Sequence, residues 1–153
     1  PKIKAFVSTT HGEGFGLPLF EAAYEGMPVI ASNWSGHVDF LNMPVKDKKG
    51  KIKNKPMFAK IDHVLAPVQD QAVWDGVIQK DSMWAYVDQG SFKIRIREVL
   101  KDYGRFKKQA TQLKKYLNKN LTSKVQNEKI CSLISEFEIN HEWVSSLKEI
   151  EIL

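Results

Sequence analysis

The sequence predicts an α/β fold: a parallel sheet with flanking helices, ending in several helices. Three observations carry this. The run "IKAFVST" is short, apolar and bounded by turn residues, as a buried strand is. A helical signal and a second β-branched run, "PVIAS", follow it, giving strand, helix, strand with parallel strands. The last third of the chain drops strand patterning and repeats apolar residues at three and four. With 153 residues, one domain with a sizeable core is expected over 1–153.

The first helix is predicted over 17–25, because Pro18 suits a first turn, Gly26 suits the position just past the end, and Pro28 closes the element. "PVIAS" is apolar on both faces, as a strand covered on both sides should be. "SGHVDFL" opens a short helix with Ser35 as its cap. Residues 42–58 read as an exposed basic loop, with six lysines between Lys46 and Lys55. "FAKIDHVLAPV" offers a third strand, and "DSMWAYVDQGS" reads as irregular. Helices are expected over 90–102, 104–118 and 123–138, the last capped by Thr122, with a terminal helix within 139–153 capped by Asn140. Val99, Leu100, Tyr103, Phe106, Leu113, Tyr116 and Leu117 are expected to face the core.

Composition narrows the function. The net charge is +5, concentrated in "KDKKGKIKNK" and the helices around Lys107 to Lys119. Solvated faces explain most of it, and an anionic partner is the sharper reading. The loop lacks the interleaved aromatics that single-strand binders stack on, so no nucleic acid is expected. Peripheral contact with the inner face of a membrane fits the lysines. The one cysteine, Cys131, reads as a small core residue and fits a reducing cytoplasm. No Asp-x-Asp or Cys/His cluster occurs, so neither a metal nor a cofactor is expected. Trp74, Trp84 and Trp143 read as packing residues, and His63 and His141 have no partner spacing.

The chemistry gathers in "HGEGFGLPLFEAAYEGMPVIAS". Gly12, Gly14 and Gly16 let the backbone approach a ligand, and a helix starts at once, so its first amides face the turn unsatisfied. The turn lies at the carboxyl end of a parallel strand, where open α/β sheets bind ligands. Glu21 stands one turn into the helix and leans back toward the same amides. A phosphate and a carboxylate should not touch, but a carboxylate accepts well from two adjacent hydroxyls. A ligand with both phosphate and a vicinal diol, such as a nucleotide, satisfies the arrangement. Glu13 can then serve a further hydroxylated group, such as a sugar. His11, Trp34, Gly36 and His37 are further candidates to line the cleft; a structural or solvent-facing role is the favoured reading of both histidines, and packing that of Trp34, with stacking on a sugar its sharper one.

"EGFGLPLFE" and the following "AAYEGMPVIASNWSGHVDFL" resemble the paired-glutamate signature of family 4 retaining glycosyltransferases, ungapped over residues 5–41. The segment "WAYVDQGSFKIRIREVLKDYGRFKKQA" is more loosely similar to that family's closing helices. The resemblance implies a Rossmann-like sheet with flanking helices, the C-terminal half of a GT-B fold. It implies a nucleotide diphosphate sugar as donor and a hydroxyl acceptor, with no cofactor. Glu21 would hold the ribose, Glu13 the transferred sugar as the catalytic carboxylate, and the amides of Gly14, Phe15, Gly16 and Leu17 the sugar and diphosphate. Ser35 stands where the family often has a second glycine, and Asp39 where it often has glutamate. The family's phosphate-binding Arg and Lys pair and its N-terminal acceptor domain precede such a motif. The chain is therefore expected to be part of a longer enzyme and nearly inactive alone. A phosphorylase or epimerase of the same fold, or a non-catalytic module for an anionic partner, are the competing readings; the glutamate pair argues against the epimerase.

Overall fold

The computed structural model describes residues 3–135. Two compact units divide the chain, residues 1–119 and 120–153. In the first, β1 (Phe6–Ser8), β2 (Val29–Ser32) and β5 (Ala59–Ile61) form a parallel sheet in the order β1-β2-β5. The register runs from Phe6↔Val29 to Ser8↔Ala31 and from Ile30↔Ala59 to Ser32↔Ile61. Every residue of β2 is buried, as its central position requires. With the helices that flank this sheet it is the expected Rossmann-like α/β fold.

Helix α1 (Leu17–Tyr24) packs on β1 and β2 and buries Leu19, Ala22 and Ala23. Its end is the predicted glycine cap. Gly26 is left-handed at φ 71°; its amide bonds Ala23 O, and the Met27 amide bonds Ala22 O, each at 2.9 Å. Two of the orphan carbonyls of the last turn are thereby satisfied. Helix α3 (Gln89–Lys101) lies against β5, and helix α4 (Tyr103–Asn120) buries Phe106, Ala110, Leu113 and Leu117 along one stripe. Val99 and Phe106 join Ile30, Ala59 and Ile61 in one apolar cluster. Leu100, expected in the core, is 69 % exposed, because α3 ends at Lys101 and the helical period restarts at Tyr103.

Two elements correct the sequence reading. The basic segment is an antiparallel hairpin, β3 (Asn42–Lys46) and β4 (Ile52–Pro56), in register from Asn42↔Pro56 to Lys46↔Ile52. Asp47 orders its turn: its carboxylate accepts from the amides of Lys49 (2.9 Å) and Lys51 (3.0 Å), and Gly50 is left-handed. Met57 and Phe58, at the end of the expected loop, are buried. The run "FAKIDHVLAPV" breaks at Asp62 into β5 and β6 (His63–Pro67), and β6 pairs antiparallel with β7 (Met83–Val87), the segment read as irregular. Asp88 caps α3 by accepting from the Ser91 amide at 2.5 Å. Trp74, expected to pack, is 66 % exposed in a turn where its amide bonds Ile78 O.

In the second unit, α5 (Ser123–Ser135) begins as expected, the Val125 amide bonding Thr122 Oγ1 at 3.3 Å. Cys131 is exposed rather than core, on a helix with no buried residue among those described. Residues 136–138 and the terminal helix within 139–153 with its Asn140 cap lie outside the described residues.

An ion cluster joins α3 to α4: Glu98 accepts from Arg105 (2.5 Å) and Arg95 (2.9 Å), and Arg95 also donates to Lys60 O at 2.7 Å. Those guanidinium bonds, Arg105 first and Arg95 second, hold the Glu98 carboxyl below its usual value. A depressed carboxylate adds stability above its unfolded pKa, and that contribution fades as pH falls through the folded value. The groups are partly exposed, so the effect is small beside the burial of Val99 and Phe106, worth ~1.5–3 kcal/mol for each side chain. Glu98→Gln should lower Tm at pH 7, and the difference from wild type should begin to shrink as melts are taken below about pH 4.3, the ordinary Glu value, and vanish only below the depressed folded value.

Candidate active site

The site is built where β1 and β2 end. After β1 the chain turns through His11 to Gly16 into α1. Gly16, the residue before the helix, is left-handed (φ 85°, ψ 56°), and no side chain caps the helix start. A side chain at Gly16 would be strained, and its Cβ would stand 3.1 Å from His37 Cβ. The amides of Phe15, Gly16 and Leu17 find no acceptor among the described residues. Pro18 supplies none, so the helix end presents unsatisfied donors.

The turn is fastened by the segment after β2. Ser35 Oγ accepts from the Glu13 amide at 2.7 Å and donates to the Glu13 carbonyl at 2.5 Å. The Gly36 amide donates to the same carbonyl at 3.1 Å. Ser35 does this from a left-handed backbone, φ 80°, the one non-glycine residue with positive φ among those described. Sequence reading gave it the cap of α2 (His37–Leu41), but Gly36 holds that position and no side chain caps it. A Cβ on Gly36 would fall 1.9 Å from Gly14 O, so only glycine lets the two turns meet. A Cβ on Gly14 would meet nothing within 4 Å, so packing within the chain leaves room there.

Glu13 is half-buried with its Cβ near Gly16, and neither it nor exposed Glu21 has an ion-pair partner among the described residues. Leu17 is 63 % exposed; the Phe15 ring packs on Phe20 and Phe40, an aromatic cluster the motif alone did not reveal. His37 is a correction: its ring is fully buried instead of lining a cleft. Its Nε2 lies 2.8 Å from Ser32 O, so Nε2 carries the proton, and Nδ1 has no partner among the described residues. It acts as a strut between the end of β2 and the start of α2. His11 turns to β7, where Nδ1 donates to Ala85 O at 2.8 Å and the ring stacks on Trp84 at 4.8 Å. Trp34 is 39 % exposed, its ring 5.4 Å from that of His63.

Sequence reading missed a polar knot after β5. Ser91 Oγ donates to Asp62 Oδ2 and accepts from the Asp62 amide, both at 3.0 Å. Two concavities of about 390 and 370 Å³ open beside β1, among them Lys4, Val7, Ile96, Tyr103 and Met27; neither touches the glycine turn. Among the described residues, no helix is long and apolar enough to cross a membrane, and no group of three His, Cys, Asp or Glu could hold a metal ion.

A Rossmann-like sheet with an uncapped, glycine-led helix at the carboxyl end of a parallel strand has its candidate site where open α/β sheets place ligands. The chain matches, over residues 2–129, the family described as "Family 4 Glycosyltransferase in conflict systems", and it belongs to that family. Glycosyl transfer is the general function this membership carries. No curated protein and no solved structure matches it.

The two turn glycines should behave oppositely. Gly36→Ala should cost about 1–3 kcal/mol, because the clash is with backbone that cannot rotate away. Gly14→Ala should leave stability nearly unchanged. Urea denaturation of both variants is the check; equal losses would show that the contact between the turns is not what Gly36 supplies.

Proposed function

We propose that this chain is the donor-binding half of a retaining hexosyltransferase of GT-B architecture, taking a nucleotide diphosphate sugar in the cytoplasm. The observation that carries the reading is the uncapped amide cluster at Phe15 to Leu17, with Glu13 before it and Glu21 after it in the chain, neither in an ion pair among the described residues. The amides would face the diphosphate and stabilise the charge that develops as it departs. Glu21 would accept from the two ribose hydroxyls, and Glu13 from hydroxyls of the transferred sugar. The anomeric C–O bond to phosphate breaks, and the acceptor oxygen bonds the anomeric carbon on the same face. The acceptor's proton passes to the departing phosphate oxygen. No metal enters this scheme, and the acceptor is a hydroxyl compound bound by a further domain.

Residues 5–41 contain no Lys or Arg, although the chain holds 23. A diphosphate carries more charge than three amides neutralise, and the reading takes the completing cations from a second domain, with the acceptor. We therefore propose that the chain alone binds donor without useful turnover.

Calorimetry with a panel of nucleotide diphosphate sugars tests the site. Glu21→Ala should weaken binding about 10- to 100-fold, the loss of one or two charge-assisted hydrogen bonds. Glu13→Ala should leave binding of the bare nucleotide unchanged and lower kcat in the complete enzyme. Gly14→Ala should weaken binding of the diphosphate without altering the fold. Nucleotide-sugar binding indifferent to both glutamates would refute the assignment, and robust turnover by the chain alone would refute the split site.

A further inference from the structure

Six of the chain's 23 basic residues and one of its 18 acidic residues lie between Asn42 and Pro56, which leaves 17 of each sign elsewhere. The formal net charge of +5 therefore resides on the β3–β4 hairpin. All six lysines are exposed, and the lone acid, Asp47, is occupied in ordering the turn. Lys53, 3.8 Å from Asp47, is the one hairpin lysine in an ion pair among the described residues. Six like charges held together repel one another, which favours an anionic partner that relieves the repulsion.

The ladder shows what shape that partner has. Lys53 and Lys55 stand opposite Val45 and Met43, on one face of the ribbon. Lys46, opposite Ile52, is on the other face, and Lys48, Lys49 and Lys51 surround the tip. A flat anionic surface engages one face and leaves the other in water. A groove with phosphates along both walls engages both. The tip, Asp47 to Lys51, has no aromatic or large apolar side chain to enter a bilayer. Five-residue strands are about 17 Å long, and two such strands side by side fit a major groove about 12 Å wide.

We propose that the β3–β4 hairpin is a sequence-independent docking ribbon for B-form double-stranded DNA, laid in the major groove. This revises the expectation of no nucleic acid, which rested on absent stacking aromatics; a duplex groove needs none. The hairpin has no Arg or Gln; of its two Asn, Asn42 bonds Val38 O and Asn54 alone is exposed, so contacts are dominated by six lysines that bind phosphates whatever the sequence. A-form RNA, whose major groove is deep and narrow, is excluded by the same geometry. The ribbon leaves directly from α2, whose first residue, His37, buttresses the glycine turn, so bound DNA is tethered to the domain that holds the site.

The test is fluorescence anisotropy of the full chain with a labelled 20-base-pair DNA duplex of arbitrary sequence, from 50 to 200 mM KCl. Each engaged phosphate contributes about −0.9 to the slope of log K against log salt, so five engaged lysines predict a roughly 500-fold loss across that range. The triple variant Lys46→Gln, Lys53→Gln, Lys55→Gln alters only exposed side chains, and circular dichroism checks that the fold persists. Its loss over the same range should shrink to roughly tenfold. Undiminished binding by that variant would place the DNA elsewhere. Equal binding of duplex RNA would overturn the groove geometry. Binding to phosphatidylserine vesicles without binding to the duplex would make the ribbon a membrane contact and overturn the proposal.

Discussion

The site depends on one side chain that carries no charge. Ser35 Oγ closes a two-way hydrogen bond with the Glu13 backbone, accepting from its amide and donating to its carbonyl. The turn after β1 and the turn after β2 are thereby made one surface. Ser35 reaches Glu13 from a left-handed backbone, a conformation that costs a non-glycine residue on the order of 1–2 kcal/mol. The two bonds and the Gly36 amide bond to the same carbonyl offset that cost and make the conformation persist. Much follows from this fastening. Gly36 must be glycine because Gly14 O lies where a Cβ would be. Glu13 is held at its backbone while its carboxylate has no ion pair among the described residues. The free amides that begin α1 stay directed at one place because the turn leading into them cannot drift.

Where the chemistry is local, the sequence was informative. Pro18, Gly26 and Pro28 mark the ends of α1 through effects that act within a few residues, and the capping bonds at Gly26 and Met27 are the ones those residues imply. Strand β2 was readable because a strand buried on both faces shows an unbroken apolar run. The hairpin was not readable, since a ribbon with lysine on both faces has no apolar alternation to detect. Strand β7 was hidden for a related reason: Trp84 and Tyr86 line one side of a small antiparallel pair beside His11, and that aromatic spacing resembles packing in a loop.

The site divides along the same line. Glu13, Gly16 and Glu21 are placed by a turn and the helix that follows it, so their spacing carries the information. The bond between Ser35 and Glu13 spans 22 residues and that between Ser91 and Asp62 spans 29, and no spacing rule reaches so far. His37 is the other case. Its place beside a glycine turn admits both a cleft-lining and a structural reading, and the structure takes the second, with the ring committed to Ser32 O and buried. A histidine within a motif is indistinguishable by sequence from a histidine that holds the motif up.

The chain separates two ways of attracting anions. Its motif region, 5–41, has no Lys or Arg and offers backbone amides; its hairpin carries the whole net charge on flexible side chains. Amides are fixed by the fold, act over hydrogen-bond distances and lose nothing to reorganisation, which suits a group whose charge must be met at one point as a bond breaks. Lysines act through a field that fades over ~8 Å at physiological salt, which suits a repetitive polyanion whose register does not matter. Lysines at the glycine turn would pair with Glu13 and Glu21 and take up the carboxylates that the fold leaves without an ion pair among the described residues. Keeping these basic residues on a separate ribbon leaves both glutamates without an ion pair among the described residues, and under the two proposals a salt-sensitive contact would operate without altering the geometry of the salt-insensitive one.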